Sequence, residues 1–285
     1  VSHAIAAVQI ATTPFETAAN LEAADDGLRR AWEHGAVLAV LPELFHSGYC
    51  PGCPYHTVAE TLEGPVASWL IDRARRFGMM IAAGLVERDG EDVYNALILV
   101  DASGLLARYR KRHLVFWERR RFRPGRSQVV ARTRWGRIGF AICADMLYRR
   151  VWRDYRDQVD LMVVGAAWPE FVHRSTNRPH WLLGRLGPLV GELPRLAAAD
   201  LGVPVVVANQ SGPTHSRVPG LPWMGFEDRF AGRSAVVDPI HGVIARAGLD
   251  AEIVVGEVNL KHREPSAWAI TSPWDRGRSS IVSGL

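Results

Sequence analysis

At 285 residues the chain is long enough to bury a large core, and its 48% hydrophobic and 22% charged content excludes disorder. A net charge of +4, supplied by arginine, is too small and too scattered over the chain to point to a nucleic acid, so none is expected as a partner. Three cysteines make no disulfide framework, no apolar run reaches the roughly 20 residues of a membrane helix, and the first residues lack a leader pattern, so a reduced, cytoplasmic protein without a membrane partner is expected.

Strand and helix signals alternate along the chain. Residues 3–10 read as a buried strand. Residues 18–34 read as an amphipathic helix, with Leu21, Ala24, Leu28, Ala31 and Trp32 at helical spacing and Gly35 as the stop. Residues 36–41 form a second buried strand. Pro65 in the first turn and Gly78 at the end frame a helix over 66–77. Strands over 79–86 and 94–100 are joined through Arg88-Asp89-Gly90, and Asp101-Ala102-Ser103-Gly104 turns the chain into a strand over 105–110.

The second half continues in this manner. Residues 137–142, 161–165, 203–209 and 253–258 read as strands, 148–155 and 189–201 as helices, and 233–237 with 243–246 as a hairpin. No short repeat, low-complexity tract or linker interrupts the chain. A single domain over 1–285 is therefore expected, with a pair of mixed sheets flanked by helices. The arginine cluster Arg119-Arg120-Arg121, with Arg123 and Arg126, reads as a solvated loop or a contact between copies.

Three apolar runs stop at residues able to do chemistry. Glu43 ends the run from Val37, Lys111 follows Leu105 to Arg110, and Cys143 follows Arg137 to Ile142. Strand ends in α/β sheets face the crevice where ligands bind, so the three can meet although they are far apart in sequence. A cysteine thiolate is a nucleophile, and near neutral pH the thiol needs a base or cation beside it. A carboxyl entering an apolar setting gains the character of a general base, and an ammonium can hold a developing oxyanion. Taken singly, each has a plainer reading: an inert core cysteine, a solvated carboxylate, a surface lysine.

Together the motifs resemble the nitrilase superfamily of carbon–nitrogen hydrolases. Leu41-Pro42-Glu43-Leu44-Phe45 with Gly48-Tyr49 is similar to the family's glutamate motif. Tyr109-Arg110-Lys111-Arg112-His113-Leu114, with Glu118 and Phe122-Arg123-Pro124-Gly125, resembles the lysine motif and its second glutamate. Gly139-Phe140-Ala141-Ile142-Cys143-Ala144-Asp145 resembles the cysteine motif. Weaker likenesses fall at Gly165-Ala166-Ala167-Trp168, Ala208-Asn209-Gln210-Ser211-Gly212 and Phe230-Ala231-Gly232-Arg233-Ser234.

The resemblance implies an α/β fold, a four-layer αββα sandwich of two mixed β-sheets flanked by helices. It implies a homodimer or a larger homo-oligomer, joined through regions 148–155 and 180–201, with 259–285 as an extension at that interface. It also implies a catalytic set of Glu43, Lys111 and Cys143 with Glu118, an oxyanion held by Lys111 and the Ala144 backbone N–H, a small amide or N-carbamoyl substrate, and no metal or organic cofactor. Tyr49, His113, Trp117, Tyr148 and Trp168 are the candidate substrate-binding residues, since aromatic walls suit a partly apolar acyl group. Nitrilases of the superfamily carry Cys-Trp-Glu, whereas Cys143 is followed by Ala144-Asp145, which favours amide over nitrile hydrolysis. The alternatives are nitrile hydrolysis and a non-catalytic binding member of the fold. Cys50-Pro51-Gly52-Cys53 reads mainly as loop structure, and less readily as half of a metal site or a redox pair.

Overall fold

The computed structural model describes residues 2–170, 187–218 and 221–260. The first half runs β1 (Ser2–Gln9), α1 (Thr17–Glu33), β2 (Leu38–Val40), α2 (Pro65–Phe77), β3 (Met80–Asp89), β4 (Asp92–Asp101) and β5 (Gly104–Arg110). It continues through β6 (Val130–Thr133), β7 (Gly136–Ile142), α3 (Arg149–Tyr155), β8 (Leu161–Ala166), α4 (Leu189–Leu201) and β9 (Val205–Asn209). The described elements that follow are all strands: β10 (Pro213–Val218), β11 (Leu221–Arg229), β12 (Ala235–Asp238), β13 (Gly242–Arg246) and β14 (Glu252–Asn259).

Two six-stranded mixed sheets, in the orders β14-β1-β2-β3-β4-β5 and β13-β12-β9-β8-β7-β6, form the inner layers of an αββα sandwich. In each, three central strands are parallel (β1, β2, β3 and β7, β8, β9) and the outer ones antiparallel. Period-two alternation explains why the central strands are apolar throughout. Ile5 and Ala7 of β1 face the second sheet, whereas Ala6 and Val8 pack among residues of α1 and α2. On the far side, Val151, Trp152 and Tyr155 of α3 and Leu193, Ala197 and Leu201 of α4 share the core of the second sheet.

Helix ends follow their sequence signals. Gly78 and Gly202 adopt left-handed conformations after α2 and α4, which relieves the last turn at no steric cost. The helical periodicity misjudged one residue: Trp32 is half exposed and rests on the Phe77 ring at 5.9 Å. Three strands escaped the sequence reading. β6 is a four-residue edge strand with a polar half, and β10 and β11 form a separate two-stranded ribbon without an apolar alternation.

The reduced state expected for all three cysteines does not hold. Cys50 and Cys53 are joined in a disulfide, and Cys143 alone is free. The Pro51-Gly52 turn brings the two sulfurs together locally, and Gly52 takes a positive φ of 87°. A count argues against a framework of long-range bridges but says nothing about one short clip. Among the described residues no group of His, Cys, Asp or Glu could hold a metal ion. No described helix is long and apolar enough to cross a membrane. The proposed interface regions lie partly, and the segment 261–285 wholly, outside the described residues.

Candidate active site

Glu43, Lys111 and Cys143 follow the C-terminal ends of β2, β5 and β7, and all three are buried. Two of these exits are conformationally strained. Leu44 and Cys143 have φ of 50° and 47°, a left-handed region that residues other than glycine rarely adopt. At Cys143 this abrupt turn carries the chain from β7 into the short 3-10 turn Cys143–Leu147. Two glycines let neighbouring strands close on the Glu43 backbone. A Cβ on Gly84 would stand 2.6 Å from the Glu43 Cα, and one on Gly165 would stand 3.1 Å from the Glu43 N.

Lys111 Nζ donates to Glu43 Oε1 and to Glu118 Oε1, each at 2.7 Å. Asn95 Nδ2 donates to the same Glu43 oxygen at 2.6 Å, and the Ala167 N–H donates to Glu43 Oε2 at 2.9 Å. Gln210 Nε2 holds the Glu43 carbonyl at 2.8 Å. Glu118 Oε2 accepts the Val115 N–H at 2.9 Å, and its Oε1 accepts the Tyr49 hydroxyl at 3.1 Å. The Tyr49 oxygen in turn accepts Trp117 Nε1 at 2.6 Å.

Two acidic side chains therefore share one ammonium, and all three are buried. Burial disfavours the Lys111 ammonium, but Glu118 and Glu43 outweigh it and raise its pKa well above the ordinary lysine value. Burial raises the Glu118 carboxyl, Lys111 opposes the rise, and Glu43 reinforces it. Burial first, and Glu43 next, push the Cys143 thiol well up, while Lys111 and the Ala167 N–H pull the other way. The resting sulfur is thus a thiol and needs a base at the moment it attacks. Burial also raises the Tyr49 phenol, with Glu118 adding to the effect.

A third buried acidic side chain, Asp145, holds the cysteine turn. Asp145 Oδ2 accepts the Tyr109 hydroxyl at 2.8 Å and the Ile142 N–H at 3.1 Å. Its Oδ1 accepts the His113 N–H at 2.9 Å and pairs with His113 Nδ1 at 2.8 Å. The imidazole stacks on Tyr148 with 3.7 Å between ring centroids. Trp168 is buried after β8, its backbone N–H on Asn209 Oδ1 at 2.7 Å.

The structure thus brings Glu43, Lys111, Glu118 and Cys143 together, with Ala144 as the second residue of the cysteine turn. Tyr49 and Trp117 meet Glu118 through a hydrogen-bond relay, so the Tyr49 hydroxyl is engaged by protein groups. His113 and Tyr148 form one stack beside Asp145. Sequence reasoning passed over Asn95, placed Ala167, Gln210 and Asp145 only within motif segments, and gave none of them a role at Glu43 or at the cysteine turn. Asn95 carried a readable signal, a lone amide inside an apolar strand. The Ala167 N–H carried none, because a backbone donor has no sequence signature.

A family model described as carbon-nitrogen hydrolase matches residues 4–266. The omega-amidase NIT2 of Homo sapiens is 29% identical over 254 residues, covering 85% of this chain and 83% of that protein. A nitrilase of Pyrococcus abyssi is 34% identical over 152 residues, which span 50% of this chain and 56% of that protein. Among solved structures, the NitN amidase of Nesterenkonia sp. AN1 superposes with a TM-score of 0.74 at 25% identity, covering 90% of this chain and 93% of that one. Nit3 of Saccharomyces cerevisiae gives a TM-score of 0.72 at 26% identity, covering 90% of each chain.

Proposed function

Since the chain belongs to the carbon–nitrogen hydrolase family of the nitrilase superfamily, we propose that it hydrolyses the C–N bond of a small amide through a thioester on Cys143. One observation carries this reading: a buried ammonium bridges two carboxylates beside a free, buried thiol. The amidase and omega-amidase relatives support an amide as substrate. An N-carbamoyl compound presents the same carbonyl and the same leaving nitrogen, and it is the neighbouring choice.

In the proposed sequence Glu43 takes the thiol proton as Sγ bonds to the carbonyl carbon. The oxyanion is held by the Lys111 ammonium and the Ala144 N–H, and such a donor contributes roughly 2.7–4 kcal/mol at the transition state. The C–N bond then breaks, and Glu43 returns its proton to the leaving nitrogen. Water attacks the thioester and gives a proton to Glu43. The C–S bond breaks, the acid departs, and the proton returns to sulfur. Glu118 keeps Lys111 charged and offers an acceptor for a substrate N–H. Every step is a proton transfer or an acyl transfer, so the side chains already present suffice. The stack of His113 on Tyr148, with Trp117 and Trp168, supplies apolar walls for the acyl group.

A nitrile is the second reading, favoured by the Pyrococcus abyssi relative. The small Ala144-Asp145 pair after the nucleophile argues for amides. We propose a homodimer or a larger homo-oligomer as the working assembly.

Intact-mass trapping with a mixed amide and carbamoyl library tests the acyl-enzyme. The expected result is an acyl adduct on the peptide bearing Cys143, absent in Cys143→Ala, with hydrolysis reduced on the order of 10³-fold or more in that variant. Near-normal turnover by Cys143→Ala would refute the assignment. Ammonia release from a nitrile but not from its matching amide would replace it with the second reading.

A further inference from the structure

We infer that Asn95 is a positioning residue that, with Lys111, closes one oxygen of Glu43 and leaves Oε2 as the oxygen that carries the proton to and from Cys143. This assignment rests on the proposed thiol mechanism and specifies its base atom by atom. An ionised carboxylate has two lone-pair positions on each oxygen. On Glu43 Oε1 both are filled, by Lys111 Nζ at 2.7 Å and Asn95 Nδ2 at 2.6 Å. On Oε2 one is filled, by the Ala167 N–H at 2.9 Å, and among the described residues nothing fills the other. The same Ala167 N–H also interacts with Cys143. The Ala167 N–H therefore adjoins both Oε2 and Cys143, and the open position is on the oxygen that shares this donor.

The rest of Asn95 agrees with a task directed at Glu43. It is fully buried in β4, and among the described residues its Oδ1 has no hydrogen-bond partner. Turning the amide over would set Oδ1 against the carboxylate, so Nδ2 must face Glu43. A buried amide with one unanswered oxygen costs the fold stability, so the side chain is not explained by a structural hydrogen-bond network. Its backbone carbonyl accepts the Lys111 N–H at 2.9 Å, which seats the base's neutral donor next to its charged one. The step itself balances simply: the Sγ–H bond breaks, the proton goes to Oε2, and the sulfur electron pair forms the new bond to carbon.

Iodoacetamide labelling of Cys143 tests this without knowledge of the natural substrate. Rates are read by peptide mass across the neutral and acid range for the intact chain, for Asn95→Ala, Asn95→Asp and, as reference, Glu43→Gln. Removing a donor that favours the carboxylate, or setting a second carboxylate against it, moves the acid limb of the rate to higher pH. The expected displacement in Asn95→Asp is about one pH unit or more, a slowing of about tenfold or more on that limb. Asn95→Ala shifts in the same direction by less, and Glu43→Gln removes the limb. Should Asn95→Asp not fold, Asn95→Ala still decides the matter. Variants with a native melting temperature and the wild-type pH profile would overturn the role of Asn95. If Glu43→Gln itself leaves labelling unchanged, the thiol–base reading fails, and the assignment of Oε2 falls with it.

Discussion

At the scale of single residues, the polar groups around Glu43 are mostly paired, and the exceptions are informative. His46 lies three residues beyond Glu43 and is buried. Its Nε2 accepts the Val86 N–H at 3.1 Å, so the proton of the neutral ring sits on Nδ1, which has no partner among the described residues. Burial lowers its pKa from 6.5 to about 4. The folded value lies below the unfolded one, so the unfolded chain binds the extra proton first. The stabilising effect of keeping this ring neutral is full above pH 6.5 and disappears as pH falls to about 4, a swing of about 3 kcal/mol. Urea midpoints measured through that window should fall steeply for the native chain and less steeply for His46→Gln. Parallel curves for the two proteins would show that another group governs acid unfolding.

At the scale of elements, the site is assembled by strand ends that approach more closely than side chains normally permit. β3 passes so near the Glu43 turn that a Cβ on Gly84 would meet Glu43 Cα at 2.6 Å, Pro42 O at 2.7 Å and Leu44 N at 2.8 Å. These are backbone atoms and cannot swing aside as a flexible side chain would. Gly84→Ala should therefore displace the base, reducing turnover by about 10²-fold, as misplacements near 1 Å do. The check is turnover measured beside the melting temperature. Full activity with unchanged melting would mean that the Glu43 turn has slack that the structure does not show. The loop after the glutamate motif is fastened differently. The Cys50–Cys53 disulfide closes it, and the Tyr55 hydroxyl accepts the Cys50 N–H at 2.7 Å and donates to the Gly48 carbonyl at 3.2 Å. Arg121 reaches the Gly52 carbonyl at 2.9 Å, so at least one member of the arginine cluster serves this loop.

At the scale of the whole molecule, the second sheet carries α3 and α4 on its outer face, the region from which the family resemblance implies a partner. The expected outcome of sedimentation analysis is a dimer or a larger homo-oligomer. A double substitution of exposed residues, Arg150→Glu with Arg153→Glu on α3, should weaken an assembly joined through α3, because it reverses the charge of that helix's outer side. A monomer at all concentrations, with amide hydrolysis intact, would sink the proposed assembly.

The amino-acid sequence by itself determined the alternation of apolar strands and amphipathic helices, their glycine and proline boundaries, and the three strand ends where Glu43, Lys111 and Cys143 stand. These follow from local periodicity and turn chemistry, which a linear reading contains. Tertiary structure alone decided which oxygen of Glu43 is open, that Lys111 bridges two carboxylates, that Tyr49 answers to Glu118, and that Cys50 and Cys53 are joined. The first three depend on distances between segments remote along the chain, or on backbone N–H groups that every residue but proline possesses, and the disulfide depends on the shape of a short local turn that a cysteine count does not carry. Asn95 lies between the two: its oddity among apolar neighbours is visible in the sequence, but the carboxylate it serves, 52 positions away, is visible only in the fold.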